Sequence, residues 1–259
     1  MTLRETTHLA MIFLFNLVFL AVARRWLGDY PPPLQRVKGE RRELIEALII
    51  WAVMLLSVSY LMLARYVLFT DYYFVRVGGR LLPLLHLFIM IEAPFIVEVV
   101  LNGRRGSDLG FSTPISRGPA LALVLHGVLM GVISFLSNPP RPYPLDYLLL
   151  GVFTPVFTEG WVYRSAVQQK LERALGQERA WLLGGLLYGL MHVPTDFFGT
   201  LWLVSGGDLG TALARLLVQC SLGWVWGILF IKSRSIYLVF VGHYLTNYLP
   251  GILAHTLAP

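Results

Sequence analysis

The sequence contains little charge and almost no cysteine, and each scarcity excludes a class of protein. Only 14% of its 259 residues are charged, whereas a soluble domain has roughly a quarter. Cys220 is the only cysteine, which excludes an internal disulfide and a cysteine-rich metal site. The rest of the chain is rich in apolar residues, at 56% of the sequence, and its mean hydropathy is +0.64. This composition is typical of a protein that crosses a membrane several times.

The usual motifs of several hydrolase classes are also missing. The chain has no H-E-x-x-H segment, the pattern in which two histidines on one helix bind zinc, and no G-x-S-G serine motif. Gly206-Gly207-Asp208 resembles the glycine-aspartate motif of aspartyl proteases, but it lies in a predicted outer loop without a partner aspartate. The first apolar run is followed by Arg24 and Arg25 rather than by a small-residue cleavage site, so we expect no removable signal peptide.

Apolar runs of membrane-spanning length recur along the chain. About 20 apolar residues in a helix cross the hydrocarbon core of a bilayer. Suitable runs lie at 8–27, 44–69, 81–101, 119–137, 145–175, 180–195, 209–232 and 235–257. The sequence therefore predicts an all-α, polytopic membrane helical bundle of about eight transmembrane helices. About four of them lie in residues 1–144, and residues 145–259 supply the motif-bearing helices of the same membrane domain.

Pro155 interrupts the fifth apolar run. Proline breaks a helix interior but is favourable in the first turn. We therefore expect a helix to begin near Pro155 and to end near Leu175, before Gly176. Residues 145–154 would then form a separate short piece.

Basic residues cluster between the apolar runs and predict how the chain is oriented. The net charge is +6, and this distribution favours contact with acidic lipid headgroups over nucleic-acid binding. We therefore expect the lipid bilayer as a partner and no nucleic acid. Lys and Arg are more frequent in the odd-numbered loops than in the even-numbered ones. This bias predicts cytoplasmic odd loops and two outward-facing termini.

Polar side chains in the late apolar runs form candidate functional pairs. Tyr188 and His192 are four residues apart, as are His243 and Asn247, and this spacing puts each pair on one helix face. Glu159 places a carboxylate in the fifth apolar run. A charged residue in a membrane segment costs at least a few kcal/mol unless it is paired or functional. A buried carboxylate beside a neutral histidine can take a proton from water. A second histidine and an asparagine can stabilise the resulting oxyanion.

Structural interpretations of the same residues stay open. Arg164 could hold a carboxylate or the carbonyl end of a helix, and with Glu159 it could form a buried ion pair that only fixes helix contacts. Tyr188 could serve packing alone. Among the earlier runs, the third contains polar residues that we expect at interior positions, and His126 is expected to be a satisfied interior histidine. The residues of the third run are His86, Glu92 and Glu98.

These residues, in this order, resemble the CAAX prenyl endopeptidase and bacteriocin-processing family of glutamic intramembrane proteases. The first family motif is a pair of glutamates, three residues and an arginine. Glu159 and Arg164 match it, whereas Gly160 replaces the second glutamate. The second motif is phenylalanine, three residues and histidine, and here it reads Tyr188 to His192. The third is histidine, three residues and asparagine or aspartate, matched by His243 and Asn247. The resemblance covers residues 145–247.

The resemblance implies an intramembrane endopeptidase without a metal or another cofactor. Glu159 and His192 would activate water, and His243 and Asn247 would stabilise the oxyanion, with Arg164 and Tyr188 in support. The substrate would be a membrane-anchored polypeptide, and the enzyme would be a multi-pass protein of a prokaryotic plasma membrane. We further hypothesise that Gly160 allows a neighbouring helix or the substrate backbone to approach closely.

Two alternatives for the function remain at this point. Glu159, His192 and His243 form an acceptable mixed ligand set for zinc, which would make the protein a metal-dependent membrane protease. The loss of the second glutamate at Gly160 instead favours a membrane scaffold or immunity protein without enzymatic activity.

Overall fold

The computed structural model describes residues 3–35, 39–66, 74–77, 80–113, 116–137, 140, 142–197 and 208–257. Gly206 and Gly207 of the glycine-aspartate motif lie outside these ranges. Within them the protein is a bundle of helices with one short β-hairpin. The predicted all-α membrane class is therefore confirmed.

The first half of the chain contains four long helical segments and the hairpin. Their bounds are α1 (Leu3–Trp26), α2 (Glu40–Tyr66), β1 (Phe74–Val77), β2 (Arg80–Pro83), α3 (Leu84–Phe95) and α4 (Arg117–Ser137). A π-helical segment, Ile96–Leu101, continues α3, and a 3₁₀ turn, Gly106–Leu109, precedes α4. The two strands are antiparallel, with Val75 opposite Leu82. The hairpin was not predicted, and because it occupies the start of the third apolar run, α3 begins only after Pro83.

The second half begins with a helix that is broken where the sequence predicts. The pieces are α5 (Leu145–Gly151), α6 (Thr158–Gly160) and α7 (Gln169–Leu175), joined by π-helical segments at Val152–Phe157 and Trp161–Gln168. Thr154 has φ −136° and ψ 121°, because a residue before proline is disfavoured in the helical region. Gly176, at φ +82°, ends α7, and this positive φ suits glycine because it has no Cβ. Helices α8 (Gln177–Leu190), α9 (Leu209–Ser233) and α10 (Ile236–Leu257) follow.

Six of the described helical segments are long and apolar enough to cross a membrane. They are Glu5–Trp26, Glu40–Ala64, Leu84–Leu101, Arg117–Ser137, Leu209–Ser233 and Ile236–Leu257. The other two predicted spans are the broken segment from α5 to α7 and helix α8, which is only 14 residues long. The predicted count of eight is therefore approximate. The side of the membrane that each loop faces stays a prediction.

Glycines allow the late helices to pack with their backbones close together. A Cβ on Gly185 would lie 2.6 Å from the backbone nitrogen of Trp224, and one on Gly189 would lie 2.8 Å from that of Cys220. Helices α8 and α9 therefore cross at these glycines, as expected for membrane helices with small residues at the interface. Gly184 instead faces the side chain of Gln168 at an ordinary 3.5 Å. The close packing of α8 on α9 thus rests on Gly185 and Gly189.

A buried charge cluster fixes α7 against the first helices. Lys170 Nζ lies 2.6 Å from Glu46 Oε2 and 2.7 Å from Glu98 Oε1. Arg173 Nε donates to Glu43 Oε1 at 3.1 Å. Buried charges are tolerated in protein interiors when they are paired in this way. The expected interior position of Glu98 is confirmed, and the cluster anchors the segment that follows Glu159.

Candidate active site

Glu159 lies on the short helix α6, between two π-helical segments and shortly after the break at Thr154. Its side chain is 15% exposed. Tyr188 Oη donates a hydrogen bond to Glu159 Oε2 at 3.1 Å. His243 Nε2 lies 3.9 Å from the same oxygen. One carboxylate oxygen therefore faces groups from α8 and α10.

His192 follows the end of α8 and is oriented by the backbone of that helix. His192 Nδ1 lies 2.9 Å from the carbonyl oxygen of Tyr188. Because a carbonyl oxygen only accepts, we assign the hydrogen to Nδ1, which leaves the Nε2 lone pair available when the ring is neutral. The Tyr188 and His192 rings pack edge to face with centroids 4.9 Å apart. Tyr188 thus holds Glu159 through its hydroxyl and His192 through its carbonyl.

Glu159 and His192 line a common cavity of about 560 Å³. Its wall comes from α2, the β-hairpin, α3, the segment around Pro155 and the end of α8. His86, whose Nδ1 lies 2.8 Å from Ser57 Oγ, also lines it. Its volume is that of a typical ligand pocket, about 300–1,000 Å³. The predicted acid and the predicted second-motif histidine therefore share a space that can hold a substrate.

His243 lies on α10, next to Glu159. It is 3% exposed, and its ring packs on Trp226 with centroids 4.7 Å apart. Sequence reasoning did not find Trp226. Its only signal in the sequence is that it lies in a strongly apolar helix, where a buried indole N–H usually needs a hydrogen-bond partner.

Asn247 is separated from this group. It is half-buried and lines a neighbouring cavity of about 440 Å³. Tyr147 and Pro155 belong to the walls of both cavities. Four residues of α-helix advance about 6 Å along the axis, so Asn247 lies one turn farther along α10 than His243. The structure therefore places Glu159 and His192 in the wall of one cavity, Tyr188 and His243 beside Glu159, and Asn247 in the wall of the neighbouring cavity.

Arg164 lies close to the ring of Tyr188. Its Cζ lies 5.4 Å from the centroid of the Tyr188 ring, a cation–π arrangement. Its Nη1 donates to Gln168 Oε1 at 2.6 Å, and Gln168 Nε2 donates to the carbonyl of Gly227 at 2.7 Å. Within the part of the chain that the structure describes, no ion pair joins Arg164 to Glu159. The ion-pair interpretation is therefore wrong, because the guanidinium lies over the Tyr188 ring and donates to Gln168, which in turn ties this helix to α9.

Gly160 lies against the side chain of Phe240 on α10. A Cβ at this position would be 2.5 Å from Phe240 Cε1 and 2.8 Å from Cδ1. These distances are far shorter than the optimal carbon–carbon separation of about 3.5–4.0 Å. The structure therefore agrees with the hypothesis that Gly160 admits a neighbouring helix.

The zinc interpretation requires three ligands that converge on one point. Among the residues given coordinates in the ranges above, no three His, Cys, Asp or Glu side chains are grouped as a metal site. Glu159, His192 and His243 therefore do not form a ligand set in this arrangement.

One comparison with known proteins finds a family model that matches the segment containing the site. Residues 140–249 match the family model described as Rce1-like, type II CAAX prenyl endopeptidase. No curated protein and no solved structure matched the chain. The matched segment contains Glu159, Arg164, Tyr188, His192, His243 and Asn247. Residues 140–249 of this chain are therefore similar to the Rce1-like family of type II CAAX prenyl endopeptidases.

Proposed function

We propose that the protein is an intramembrane glutamic endopeptidase in which Glu159 is the catalytic base. The observation that carries this proposal is the convergence of Tyr188 and His243 on one oxygen of Glu159, at 3.1 Å and 3.9 Å, beside the cavity that His192 also lines. A carboxylate in a membrane helix bundle is a functional-site candidate by default. All these residues lie in the segment that matches the endopeptidase family.

In the proposed reaction, water binds in the cavity between Glu159 and Nε2 of His192. Glu159 takes a proton from this water, and the water oxygen forms a bond to the carbonyl carbon of the scissile peptide. When the tetrahedral intermediate collapses, the C–N bond breaks and the proton passes from Glu159 to the leaving nitrogen. General acid–base catalysis of this kind typically contributes about 10²–10⁴ in rate.

The negative charge on the former carbonyl oxygen requires donors. His243 is the nearest candidate, because its Nε2 already lies 3.9 Å from Glu159 Oε2. Asn247 is the second candidate. Tyr147 and Pro155 belong to the walls of both its cavity and the cavity of Glu159. A substrate that occupies both cavities would therefore bring its scissile carbonyl within reach of Asn247.

Tyr188 and Arg164 would keep the base in position. The hydroxyl of Tyr188 donates to Glu159 at 3.1 Å, and the guanidinium of Arg164 lies below the same ring at 5.4 Å. Because a catalytic group misplaced by about 1 Å can lose on the order of 10² in rate, this support matters for turnover.

The proposed substrate is the membrane-embedded or membrane-adjacent end of another polypeptide. The matching family is described by its action on CAAX prenyl proteins, so a lipid-modified C-terminal tail is the first class to test. The cavity wall mixes apolar side chains such as Met90 and Leu61 with polar ones such as His86 and Thr195. This mixture suits a peptide that leaves an apolar environment.

The proposal is tested by comparing the masses of membrane polypeptides in cells that express the wild type or Glu159→Ala. We expect at least one membrane polypeptide to accumulate uncleaved in Glu159→Ala cells, and purified wild type in lipid vesicles to cleave that polypeptide or a prenylated CAAX peptide. The matched control is Glu92→Gln, since Glu92 is a half-buried glutamate in the middle of α3. Identical polypeptide masses in all three strains would contradict the proposal and favour the non-enzymatic scaffold.

A further inference from the structure

Trp226 contacts both side chains that face Glu159. Its ring centroid lies 4.7 Å from that of His243 and 6.0 Å from that of Tyr188. Trp226 is 2% exposed and belongs to α9, the most deeply buried of the membrane-spanning helices that the structure describes. Any rotation of this indole would therefore change the positions of His243 and Tyr188 relative to the carboxylate.

A chain of buried hydrogen bonds fixes the indole. Trp226 Nε1 donates to His126 Nδ1 on α4 at 3.2 Å, and His126 Nε2 lies 2.9 Å from Asn16 Oδ1 on α1. Asn16 Nδ2 donates to Ser221 Oγ on α9 at 2.8 Å, and Ser221 Oγ donates to the carbonyl of Val218 at 2.7 Å. This series of hydrogen bonds thus starts on α9 at Trp226, passes through α4 and α1, and returns to α9 at Ser221, one to two turns away.

The direction of every hydrogen bond in this chain is determined by its ends. An indole N–H only donates, so His126 Nδ1 accepts, and its Nε2 must carry the hydrogen that goes to Asn16. At the other end a backbone carbonyl only accepts. Asn16, His126 and Ser221 are each 0–1% exposed, so bulk water does not reach these groups. The expected satisfied interior histidine at His126 is confirmed, and its neutral tautomer is set by its neighbours.

Aromatic packing holds His126 from the other side. Phe15 stacks on its ring with centroids 5.6 Å apart, and Phe19 meets it edge to face at 4.9 Å. Both belong to α1, which, like α4, lies before the segment that matches the family. The N-terminal helices therefore contribute a rigid support that reaches the site through one indole.

We infer that Asn16 and His126 are positioning residues for the reaction: through Trp226 they hold His243 and Tyr188 against Glu159. This inference rests on the proposed function, because it assigns Glu159 the role of the base. It gives a task to residues that neither touch the cavity nor belong to the family segment.

The test measures kcat and KM per folded enzyme in lipid vesicles for three His126 and Trp226 variants. His126→Leu removes both ring nitrogens, and we expect kcat to fall roughly 10- to 100-fold with KM nearly unchanged, since a shift of about 1 Å away from the reacting atoms can cost on the order of 10². His126→Gln can accept from the indole and donate to Asn16, and it should recover most of the loss. Trp226→Phe keeps an aromatic ring but lacks the N–H, so we expect the same fall in kcat, and this variant carries the test if His126→Leu does not fold.

Lys232→Met is the matched control, because Lys232 joins the same two helices, α9 and α1, at another level. Its Nζ donates to the carbonyls of Ala23 at 2.9 Å and of Gly28 at 2.6 Å. This variant should lose stability but keep the wild-type kcat per folded molecule. A wild-type kcat in folded His126→Leu and Trp226→Phe, with Glu159→Gln inactive, would overturn the positioning role and leave the proposed function intact. An active Glu159→Gln would overturn the proposed function itself.

Discussion

Substituting Gly160 by alanine should push the Phe240 ring away from the short helix that carries Glu159. The new Cβ would lie 2.5 Å and 2.8 Å from two ring carbons, so the ring must retreat by about 1 Å to reach a normal contact. It has little room, because Phe157 and Phe111 pack on it with centroids 5.4 Å and 6.4 Å away. The strain therefore falls on α6 as well as on the ring.

The magnitude follows from two opposing terms. Overpacking of a core typically costs about 1–3 kcal/mol, whereas alanine gains up to about 1 kcal/mol over glycine in a helix. We expect Gly160→Ala to lower the free energy of unfolding by about 1–2 kcal/mol. Because the residue next to it is Glu159, turnover should fall by up to about 10². Gly160→Glu, which restores the family's second glutamate, should be more severe.

The assay combines thermal unfolding in lipid–detergent micelles with cleavage per folded enzyme. Gly184→Ala is the control, since its Cβ would meet Gln168 at an ordinary 3.5 Å, and it should be neutral or slightly stabilising. Replacing Phe240 by leucine in the Gly160→Ala background should restore part of both losses. Full stability and full activity in Gly160→Glu would refute the reasoning.

The remaining predictions concern one proposed donor and two supporting cations. Asn247→Ala should lower single-turnover cleavage by about 10²–10³, the typical cost of one oxyanion donor, while a wild-type rate would remove Asn247 from the reaction. Arg164→Lys should lower both thermal stability and turnover because it loses the guanidinium over the Tyr188 ring and the bond to Gln168. Unchanged stability and turnover would count against that support. Lys170→Met should cost about 3–5 kcal/mol of stability, because buried Glu98 and its neighbours lose a cation. Its control is Arg42→Met, which alters an exposed pair with Glu46. Equal melting temperatures for the two variants would be inconsistent with this account.

Local rules were sufficient for the elements that depend on one stretch of chain. The break at Thr154, the end of α7 at Gly176 and the placement of Tyr188 and His192 on one face each follow from residues close in sequence. These features need only backbone preferences and helical periodicity. The order of the polar motifs also predicted the family whose model residues 140–249 match.

Features that depend on how helices cross could not be predicted. Asn247 shares a helix face with His243, yet it lines a different cavity from Glu159 and His192, and Tyr147 and Pro155 belong to the walls of both cavities. The contact between Trp226 and His126 joins residues 100 positions apart, and no short pattern records it. The β-hairpin was missed because its strands are only four residues each and adjoin an apolar run that reads as helix.

The central claim is that the carboxylate of Glu159 takes a proton during peptide hydrolysis, and single-turnover cleavage by Glu159→Gln in lipid vesicles tests it most directly. Glutamine keeps the size of the side chain and can still accept a hydrogen bond from Tyr188, which lies 3.1 Å from Glu159 Oε2, but it cannot act as the base. With folding and vesicle content matched to the wild type, and with Glu92→Gln as the control, we predict that cleavage is nearly abolished in Glu159→Gln alone. A Glu159→Gln enzyme that cleaves at the wild-type rate would contradict the glutamic mechanism and require a different base.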